Sequence, residues 1–305
     1  MGRRCVYELL QRGAEALPRR VGIPDPAREA LWLLAAAWER SETWVRLHAE
    51  APVADDVAAR YEAWLERRAA GVPAHHLTGV CPFWGRPFRV SPAVLVPRPE
   101  TELIVERALA LDLPRKARVL DVGTGSGCLA LTLALERTAW RVAATDRAPG
   151  ALAVARRNAE ALGASVILVL ADLAEPLAGP LDLVVANLPY VPSAEVGSLP
   201  IEVRHDPTLA LDGGPDGLVL IRRLLAQLPR ILAPGGVALL ELGENQAETV
   251  VAAARTHGLV AGATIADLGG CERVIELQRP AARTRTACGK KGATQSQRPS
   301  GMGRV

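Results

Sequence analysis

The chain has 305 residues, 49% hydrophobic and 23% charged, which suits one large domain with a small accessory unit and excludes bulk disorder. The net charge of +3 arises from the end of the sequence, since residues 281–305 carry six basic side chains and no acidic one. The other 30 basic and 33 acidic residues give residues 1–280 a net charge of −3. A duplex nucleic-acid binder usually presents a basic face, and this part of the chain gives no sign of one.

Cysteine and histidine spacing argues against a metal site. The five cysteines are scattered without a Cys-x-x-Cys pair, and His75 and His76 have no cysteine or carboxylate at ligand spacing. This fits a reducing compartment. The chain has no long uncharged apolar run, and Glu8 lies in its first turns, which argues against a signal peptide or a membrane span. We therefore expect a soluble cytoplasmic protein without a metal.

The first third of the chain is predicted to form two units. Residues 1–73 form a helical domain, because stretches 27–40 and 55–71 place leucine, alanine, tryptophan and tyrosine at helical spacings. Residues 74–100 are punctuated by proline and glycine and contain short β-like pieces. This composition predicts a β-hairpin linker to a second domain.

From residue 101 to residue 280, short apolar β runs alternate with helical stretches. The predicted strands are 118–122, 141–145, 166–170, 181–186, 236–242 and 272–278, and the predicted helices are 101–111, 127–137, 149–161, 218–231 and 244–257. This alternation is typical of a parallel sheet covered by helices on both faces. Gly269 and Gly270 predict a final hairpin. Residues 281–305 are predicted to be a disordered basic tail, because they are rich in small polar residues.

A glycine-rich turn follows the first strand of this region. Gly123, Gly125 and Gly127 let the backbone turn tightly and approach a ligand, and the next helix offers free N–H groups. Cys128 occupies the last glycine position of the dinucleotide fingerprint G-x-G-x-x-G, so the pattern here is G-x-G-x-G. It resembles the first motif of S-adenosylmethionine-dependent methyltransferases.

Two aspartates stand at the ends of the next two strands. Asp146, 23 residues after Gly123, is placed to accept hydrogen bonds from both ribose hydroxyls of a nucleoside. Asp172 repeats this geometry and could accept from an adenine amino group, with Leu173 against the ring. The alternative for both aspartates is an N-cap of the following helix. Ligands of open α/β sheets bind at such carboxyl strand ends.

The strand at 181–186 ends in Asn187, Leu188, Pro189 and Tyr190. A planar NH₂ group is a poor nucleophile because its lone pair is delocalised. Two acceptors, the side-chain oxygen of Asn187 and the carbonyl of Leu188, could grip its two N–H groups, and Pro189 would hold residue 188 extended. Tyr190 would form an apolar wall. In isolation the tetrapeptide could equally be a turn that ends the strand.

The tetrapeptide matches [Asp/Asn/Ser]-[Pro/Leu/Ile]-Pro-[Tyr/Phe/Trp], a pattern of methyltransferases that modify planar nitrogens. Over about residues 5–279 the chain resembles the release factor glutamine methyltransferases. The stretches that carry this resemblance are FWGRPFRVSPAVLVPRPETE (83–102), DVGTGSG (121–127), EVRHDPTLALDGGPDGL (202–218), LAPGGVALLELG (232–243) and DLGGCERVIEL (267–277). The Pro-Arg-Pro-Glu-Thr run and the closing Asp-Leu-x-Gly pattern are more specific than the glycines.

The resemblance implies an α/β fold: a Rossmann-like, seven-stranded class I methyltransferase domain with a small helical N-terminal domain that recognises the release factor. It implies transfer of a methyl group from S-adenosylmethionine, which becomes S-adenosylhomocysteine, to N5 of a glutamine in peptide-chain release factors. We expect a monomer and, from the charge of residues 1–280, no stable nucleic-acid binding. The implied cofactor contacts are Gly123, Thr124, Gly125, Ser126, Gly127, Asp146, Asp172, Leu173 and Asn187. The implied substrate and catalytic contacts are Asn187, Leu188, Pro189 and Tyr190.

One departure from the family pattern keeps an alternative open. The family usually has Asn-Pro-Pro-Tyr, whereas Leu188 stands in the first proline position. Adenine N6 methyltransferases acting on RNA commonly use Asn-Leu-Pro-Tyr, so an N6-adenine methyltransferase acting on RNA or DNA is the alternative function. A non-catalytic nucleoside-binding module is a third hypothesis. The substitution retains the carbonyl and Pro189, so the grip would survive.

Overall fold

The computed structural model describes residues 4–19 and 23–281. The helices are α1 (Val6–Ala16), α2 (Pro26–Ala37), α3 (Glu42–Leu47), α4 (Asp55–Ala69), α5 (Ala74–Thr78), α6 (Glu102–Ala110), α7 (Cys128–Glu136), α8 (Pro149–Leu162), α9 (Val219–Ile231) and α10 (Ala247–Thr256). The strands are β1 (Val80–Phe83), β2 (Arg86–Arg89), β3 (Arg118–Val122), β4 (Arg141–Asp146), β5 (Ile167–Leu170), β6 (Leu181–Ala186), β7 (Leu232–Glu241), β8 (Val260–Ala266) and β9 (Glu272–Gln278). The predicted disordered tail lies outside the described residues from 282 onward and stays a prediction. Within the described part of the chain, no helix has the length and apolar character needed to cross a membrane.

The N-terminal part is helical, as its sequence predicts. Helix α2 begins where the Asp25 side chain accepts hydrogen bonds from two backbone N–H groups, with Pro26 in the first turn. Helices α1 to α5 share one apolar core, and the Tyr61 ring is fully buried in it. Ser41 caps α3 by accepting a hydrogen bond from the Trp44 N–H. These helices form a small domain with its own core.

The predicted hairpin is formed by β1 and β2, which pair antiparallel around Trp84 and Gly85. Both turn residues have positive φ, as the tight turn of a two-residue hairpin requires. The rings of Phe83 and Phe88 meet edge to face at 5.9 Å and are buried in the same core as Ile104 of α6. The hairpin therefore packs as part of the larger domain rather than as a free connection.

The larger domain is a seven-stranded sheet in the order β5-β4-β3-β6-β7-β9-β8. Strands β3 to β7 pair in parallel with one another, and β9 runs antiparallel to β7 and to β8. Apolar cores lie on both faces of this sheet. The predicted Rossmann-like, seven-stranded α/β fold with a helical N-terminal domain is confirmed.

Two details of the sheet differ from the predicted elements. Strand β8 was not predicted, because its sequence VAGATIA is rich in alanine and glycine and most of it is exposed at the sheet edge. The predicted final hairpin is present, and β8 is its first strand. Strand β7 begins at Leu232, before the predicted start, because Pro234, Gly235 and Gly236 read as a turn in the sequence.

A buried arginine joins the two domains. Arg68 of α4 is 2% exposed; its Nε bonds Glu29 at 2.6 Å and its Nη2 bonds Glu202, in the loop after β6, at 2.7 Å. Next to it, a Cβ on Gly71 would lie 2.8 Å from the Ile201 side chain, so only glycine permits this approach. The loop that follows the Asn187 motif is thus held against the helical domain.

Candidate active site

The predicted site residues meet in a cavity at the carboxyl ends of β3, β4, β5 and β6. Those that line it are Gly123, Thr124, Gly125, Ser126, Asp146, Asp172, Leu173, Asn187, Leu188 and Pro189. Two predicted residues lie elsewhere. A Cβ on Gly127 would meet Leu131 at 3.0 Å, so this glycine serves close packing at the start of α7. Tyr190 lines an adjoining pocket.

The glycine-rich turn is fixed by the neighbouring strand. The N–H groups of Gly123 and Thr124 both bond the Thr145 carbonyl at 2.9 Å. Gly125 has a φ of +56°, and a Cβ built on it would meet no heavy atom within 4 Å. The space over this residue therefore belongs to the cavity, which a ligand can approach at backbone distance.

Asp121 of β3 holds the same turn through hydrogen bonds, and the sequence did not predict this residue. Its Oδ2 accepts from the Thr124 hydroxyl at 2.6 Å and from the Ala130 N–H at 3.2 Å. Burial raises the pKa of this carboxyl to about 7. Oδ1 is buried and has no hydrogen-bond partner among the described residues, and the residue lines the cavity. Its position as the penultimate residue of the otherwise apolar end of β3 was the available signal.

Asp146, the last residue of β4, forms a hydrogen bond to the glycine-rich turn that follows β3. Its Oδ2 accepts from the Gly125 N–H at 2.9 Å and its Oδ1 accepts from the Ala148 N–H at 2.9 Å. The second bond closes a turn before the N-cap residue Ala148, and no side chain caps α8. Neither bond is therefore the helix cap that the sequence left open. Each carboxylate oxygen has a further lone pair, so the group can also accept from a ligand in the cavity.

Asp172 lies in a turn, and no regular helix follows it directly, so the capping alternative has no basis here. Its Oδ2 accepts from Arg223 Nη2 at 2.8 Å. Oδ1 is buried without a protein partner among the described residues. Leu173 has a φ of +52° and is buried against the same cavity. An unpaired buried acceptor beside an apolar wall fits a flat ligand that carries an N–H donor.

A second pocket adjoins the first at the Asn187 motif. Both are lined by Arg98, Asn187, Leu188 and Pro189, and the second is also lined by Tyr190. The motif therefore stands between two spaces, one beside the glycine-rich turn and one on the side of the loop after β6. This arrangement would bring two ligands together end to end.

Arg98, from the Pro-Arg-Pro-Glu-Thr run, fixes the loop that covers both spaces. Its Nη2 lies 2.6 Å from Asp206 Oδ2, and the Val96 N–H bonds Oδ1 of the same carboxylate at 3.3 Å. Asp206 is 3% exposed, and burial raises its pKa to about 6 despite the neighbouring guanidinium. The Arg98–Asp206 pair therefore closes one side of the site.

Asn187 is oriented by a chain of buried hydrogen bonds. Its Nδ2 donates to Thr101 Oγ1 at 3.0 Å, and Thr101 Oγ1 donates to Glu241 Oε2 at 2.7 Å. The Tyr190 hydroxyl donates to Glu241 Oε1 at 3.3 Å. No described residue donates to Asn187 Oδ1, so that oxygen is free to accept from a ligand.

The backbone of the Asn187 motif is held by hydrogen bonds and by the close packing of glycines. The Gly213 N–H bonds the Val191 carbonyl at 2.8 Å, and Gln246 Nε2 bonds the Tyr190 carbonyl at 2.9 Å. A Cβ on Gly217, whose φ is +75°, would lie 2.2 Å from that same carbonyl oxygen. The run GGPDG (213–217) therefore lets a loop pack directly against the main chain of the motif.

Leu188, the departure from the family pattern, points into the core. Its side chain is 4% exposed and lies in the cluster that contains Val122 and Ala186, close to Gly123. No described residue donates to its main-chain carbonyl. The leucine thus fills the core without removing the acceptor that the motif requires.

Glu241 is, like Asp121, an almost fully buried carboxyl group of the site. It is 2% exposed, and burial raises its pKa to about 7, with Glu100 adding to the rise and Arg273, Thr101 and Tyr190 opposing it. It was not predicted, although it ends β7 as Asn187 follows β6. The strand-end rule places Glu241 beside the site but does not say which residues it contacts.

Replacing Glu241 with glutamine is expected to raise the free energy of unfolding at pH 8 by about 2 kcal/mol. Between about pH 4.5 and 7 the folded protein keeps a proton that the unfolded chain has released, so wild-type stability falls as the pH rises through this window. The side-chain amide of glutamine does not titrate, so the variant lacks this decrease in the free energy of unfolding. Urea unfolding at pH 5 and pH 8 measures the difference, which should grow with pH. A difference equal at both values, or one also given by exposed Glu160→Gln, would contradict it.

Two family models match the chain. The model described as PrmC N-terminal domain matches residues 8–79, and the model described as methyltransferase small domain matches residues 100–199. The release factor glutamine methyltransferase of Cereibacter sphaeroides is 42% identical over 272 residues, which are 88% of this chain and 97% of the relative. The chain belongs to the release factor glutamine methyltransferase family. The resemblance seen in the sequence is confirmed.

Other members of the family are equally similar. The release factor glutamine methyltransferase of Deinococcus radiodurans is 42% identical, with 87% of this chain and 96% of the relative covered. That of Moorella thermoacetica is 46% identical, with 78% and 85% covered. Among solved structures, a methyltransferase from Pyrococcus furiosus has a TM-score of 0.51 at 18% identity and covers 73% of this chain and 99% of its own, which supports the fold.

Proposed function

We propose that the protein transfers a methyl group from S-adenosylmethionine to the side-chain nitrogen N5 of a glutamine in peptide-chain release factors. The observation that carries the proposal is the position of Asn187, Leu188 and Pro189 between two adjoining pockets. Family membership supports both the cofactor and the substrate, since the relatives named above are release factor glutamine methyltransferases. The proposed role is in translation termination.

The first pocket fits S-adenosylmethionine. The buried Asp172 Oδ1 has no protein partner among the described residues and can accept from the adenine amino group, with Leu173 against the ring. Asp146 can accept from the ribose hydroxyls. The open space over Gly125 admits the rest of the molecule to the residues of the glycine-rich turn. When bound, the cofactor supplies a methyl group on a positively charged sulfur.

The second pocket would hold the glutamine amide. Asn187 Oδ1 and the Leu188 carbonyl accept its two N–H groups, which fixes the nitrogen and favours positive charge on it as the N–C bond forms. Pro189 keeps residue 188 extended, and Tyr190 excludes water. The bond between the methyl group and sulfur would break as the N–C bond forms, and S-adenosylhomocysteine would leave as a neutral thioether. One N–H proton is released to solvent after transfer, so the nitrogen ends as a neutral methylamide. Holding two reactants in near-attack geometry can supply most of the acceleration.

The N6-adenine alternative is not favoured. Its support was Leu188, and that side chain is 4% exposed and packs in the apolar core. Charges over residues 1–280 sum to −3, which supports the absence of stable nucleic-acid binding. The proposed reaction belongs in the cytoplasm, where release factors meet ribosomes, and we propose that the enzyme acts as a monomer.

The proposal predicts that the enzyme adds one methyl group to one glutamine of a release factor. The full chain is incubated with a purified release factor and methyl-labelled S-adenosylmethionine, and mass spectrometry identifies the modified residue. Replacing that glutamine with alanine in the release factor should abolish labelling. The matched control is ribosomal RNA under the same conditions. Undiminished labelling of the alanine variant, or transfer to the RNA alone, would reject the proposal.

A further inference from the structure

We propose that Thr101 and Glu241 are positioning residues that set the orientation of the Asn187 side-chain amide, so that its oxygen and not its NH₂ group faces the substrate. The inference rests on the proposed function and adds two residues to it. One of them, Thr101, closes the Pro-Arg-Pro-Glu-Thr run, which the sequence marks as a specific family pattern without indicating a role.

The direction of the hydrogen bonds follows from their donors and acceptors. At a pH above the Glu241 pKa of about 7 this side chain is a carboxylate, which only accepts, and a threonine hydroxyl has one proton. Thr101 Oγ1 lies 2.7 Å from Glu241 Oε2, so its proton is given to the carboxylate. The hydroxyl must then accept from Asn187, which lies 3.0 Å away. Only the NH₂ side of the amide can donate, and the amide oxygen is therefore turned towards the pocket.

The orientation decides whether the site can grip its substrate. An asparagine amide has nearly the same shape in both orientations, and its two ends differ in hydrogen bonding alone. If the amide were flipped, its NH₂ group would meet the NH₂ group of the substrate glutamine, and two donors would oppose each other. One of the two proposed acceptors would then be lost. A polar partner behind Asn187 is the simplest means of excluding that state.

Burial limits the replacement of this partner by solvent. Thr101 lines the first pocket and Glu241 the second, and each is only 2% exposed, so bulk water has little access to the gap that a lost hydroxyl would leave once ligands fill the pockets. The same carboxylate accepts from the Tyr190 hydroxyl through its other oxygen. Glu241 therefore holds Tyr190, which forms the wall of the second pocket. Through Thr101 it also holds Asn187, whose oxygen is the proposed acceptor.

The test compares Thr101→Val with Thr101→Ser in the full-length enzyme. Valine keeps the shape and removes the hydroxyl, and serine keeps the hydroxyl. We expect Thr101→Val to lower kcat roughly 10- to 100-fold, with the KM for the release factor and the Kd for S-adenosylmethionine changed less than about threefold. Serine should restore most of the rate. The matched control is Thr132→Val, another buried threonine, whose hydroxyl has no partner among the described residues.

A second readout needs no substrate. The chain has three asparagines, so selective ¹⁵N labelling resolves the side-chain amide of Asn187 by nuclear magnetic resonance. Its protons should exchange slowly with solvent in the wild type and in Thr101→Ser, and faster in Thr101→Val. Equal exchange in all three proteins would overturn the inference, and so would an unchanged kcat in Thr101→Val.

The two readouts separate this inference from the proposed function. If the wild type leaves every release factor unmodified, the proposed function fails, and the exchange measurement still decides whether Thr101 holds Asn187. If the wild type is active and Thr101→Val loses rate while Thr101→Ser does not recover it, the hydroxyl has no positioning role and the inference fails alone. Glu241→Gln provides a further check, because glutamine can donate to Thr101 and release the fixed direction. It should also lower kcat.

Discussion

Replacing Asn187 with alanine is expected to lower kcat for methyl transfer about 1000-fold while the Kd for S-adenosylmethionine changes by less than about threefold. The side-chain oxygen is one of two proposed acceptors for the substrate NH₂ group and has no donor among the described residues, so its loss removes a contact to the reacting nitrogen. The cofactor keeps its contacts at the other strand ends. Initial rates with saturating release factor and calorimetric titration of the cofactor measure the two effects.

Two comparisons make the Asn187 result specific. Asn187→Asp retains an acceptor oxygen but lacks the NH₂ group that donates to Thr101, so its rate should lie between those of wild type and alanine variant. Thermal unfolding should show that the alanine variant is folded. Unchanged turnover in Asn187→Ala would remove this residue from its proposed role, and equal loss of cofactor binding would move the role to the first pocket.

Replacing Asp146 with alanine is expected to raise the Kd for S-adenosylmethionine about 100-fold. The carboxylate stands at the end of β4 in the cofactor pocket, and charge-assisted bonds to two hydroxyls would be lost together. The Gly125 N–H would also lose the acceptor that holds the glycine-rich turn. At saturating cofactor kcat should recover most of its value, because the grip on the substrate nitrogen does not involve this residue.

Asp182 offers the matched control. It lies near the start of β6, at the amino ends of the parallel strands and away from the cavity. Its carboxylate also accepts from a backbone N–H, that of Arg118, at 2.7 Å. Asp182→Ala should cost some stability and leave the Kd for the cofactor unchanged. A similar loss of affinity in both variants would mean that Asp146 acts through the sheet and not by contact. A Kd unaltered in Asp146→Ala would contradict the ribose assignment.

The sequence predicted the sheet and most of the cavity because both follow from local patterns. Apolar runs between helical stretches define parallel strands, and polar residues placed after such runs must meet at one edge. This rule located Asp146, Asp172 and Asn187, and the structure brings all three to the same cavity. The glycine-rich turn is local as well, since its backbone demands are visible in three glycines.

Thr101 and Glu241 could not be assigned by the same reasoning. Their hydrogen bond joins residues 140 positions apart, and neither residue is unusual for its own element. Glu241 ends a strand whose other residues are apolar, so its burial depends on what covers it. That cover comes from the turn before α6, and nothing in the sequence says where this turn docks. Pairings of this kind arise from tertiary packing alone.

The buried Arg68 connects α4 of the helical domain to the wall of the active site through ion pairs. Its guanidinium holds Glu202, four residues before Asp206, and Asp206 holds Arg98, which lines both pockets. A displacement of α4 is therefore transmitted along a short chain of ion pairs to the wall of the active site. Cutting the polypeptide between α5 and β1 would break this connection and release the loop that shapes the pocket.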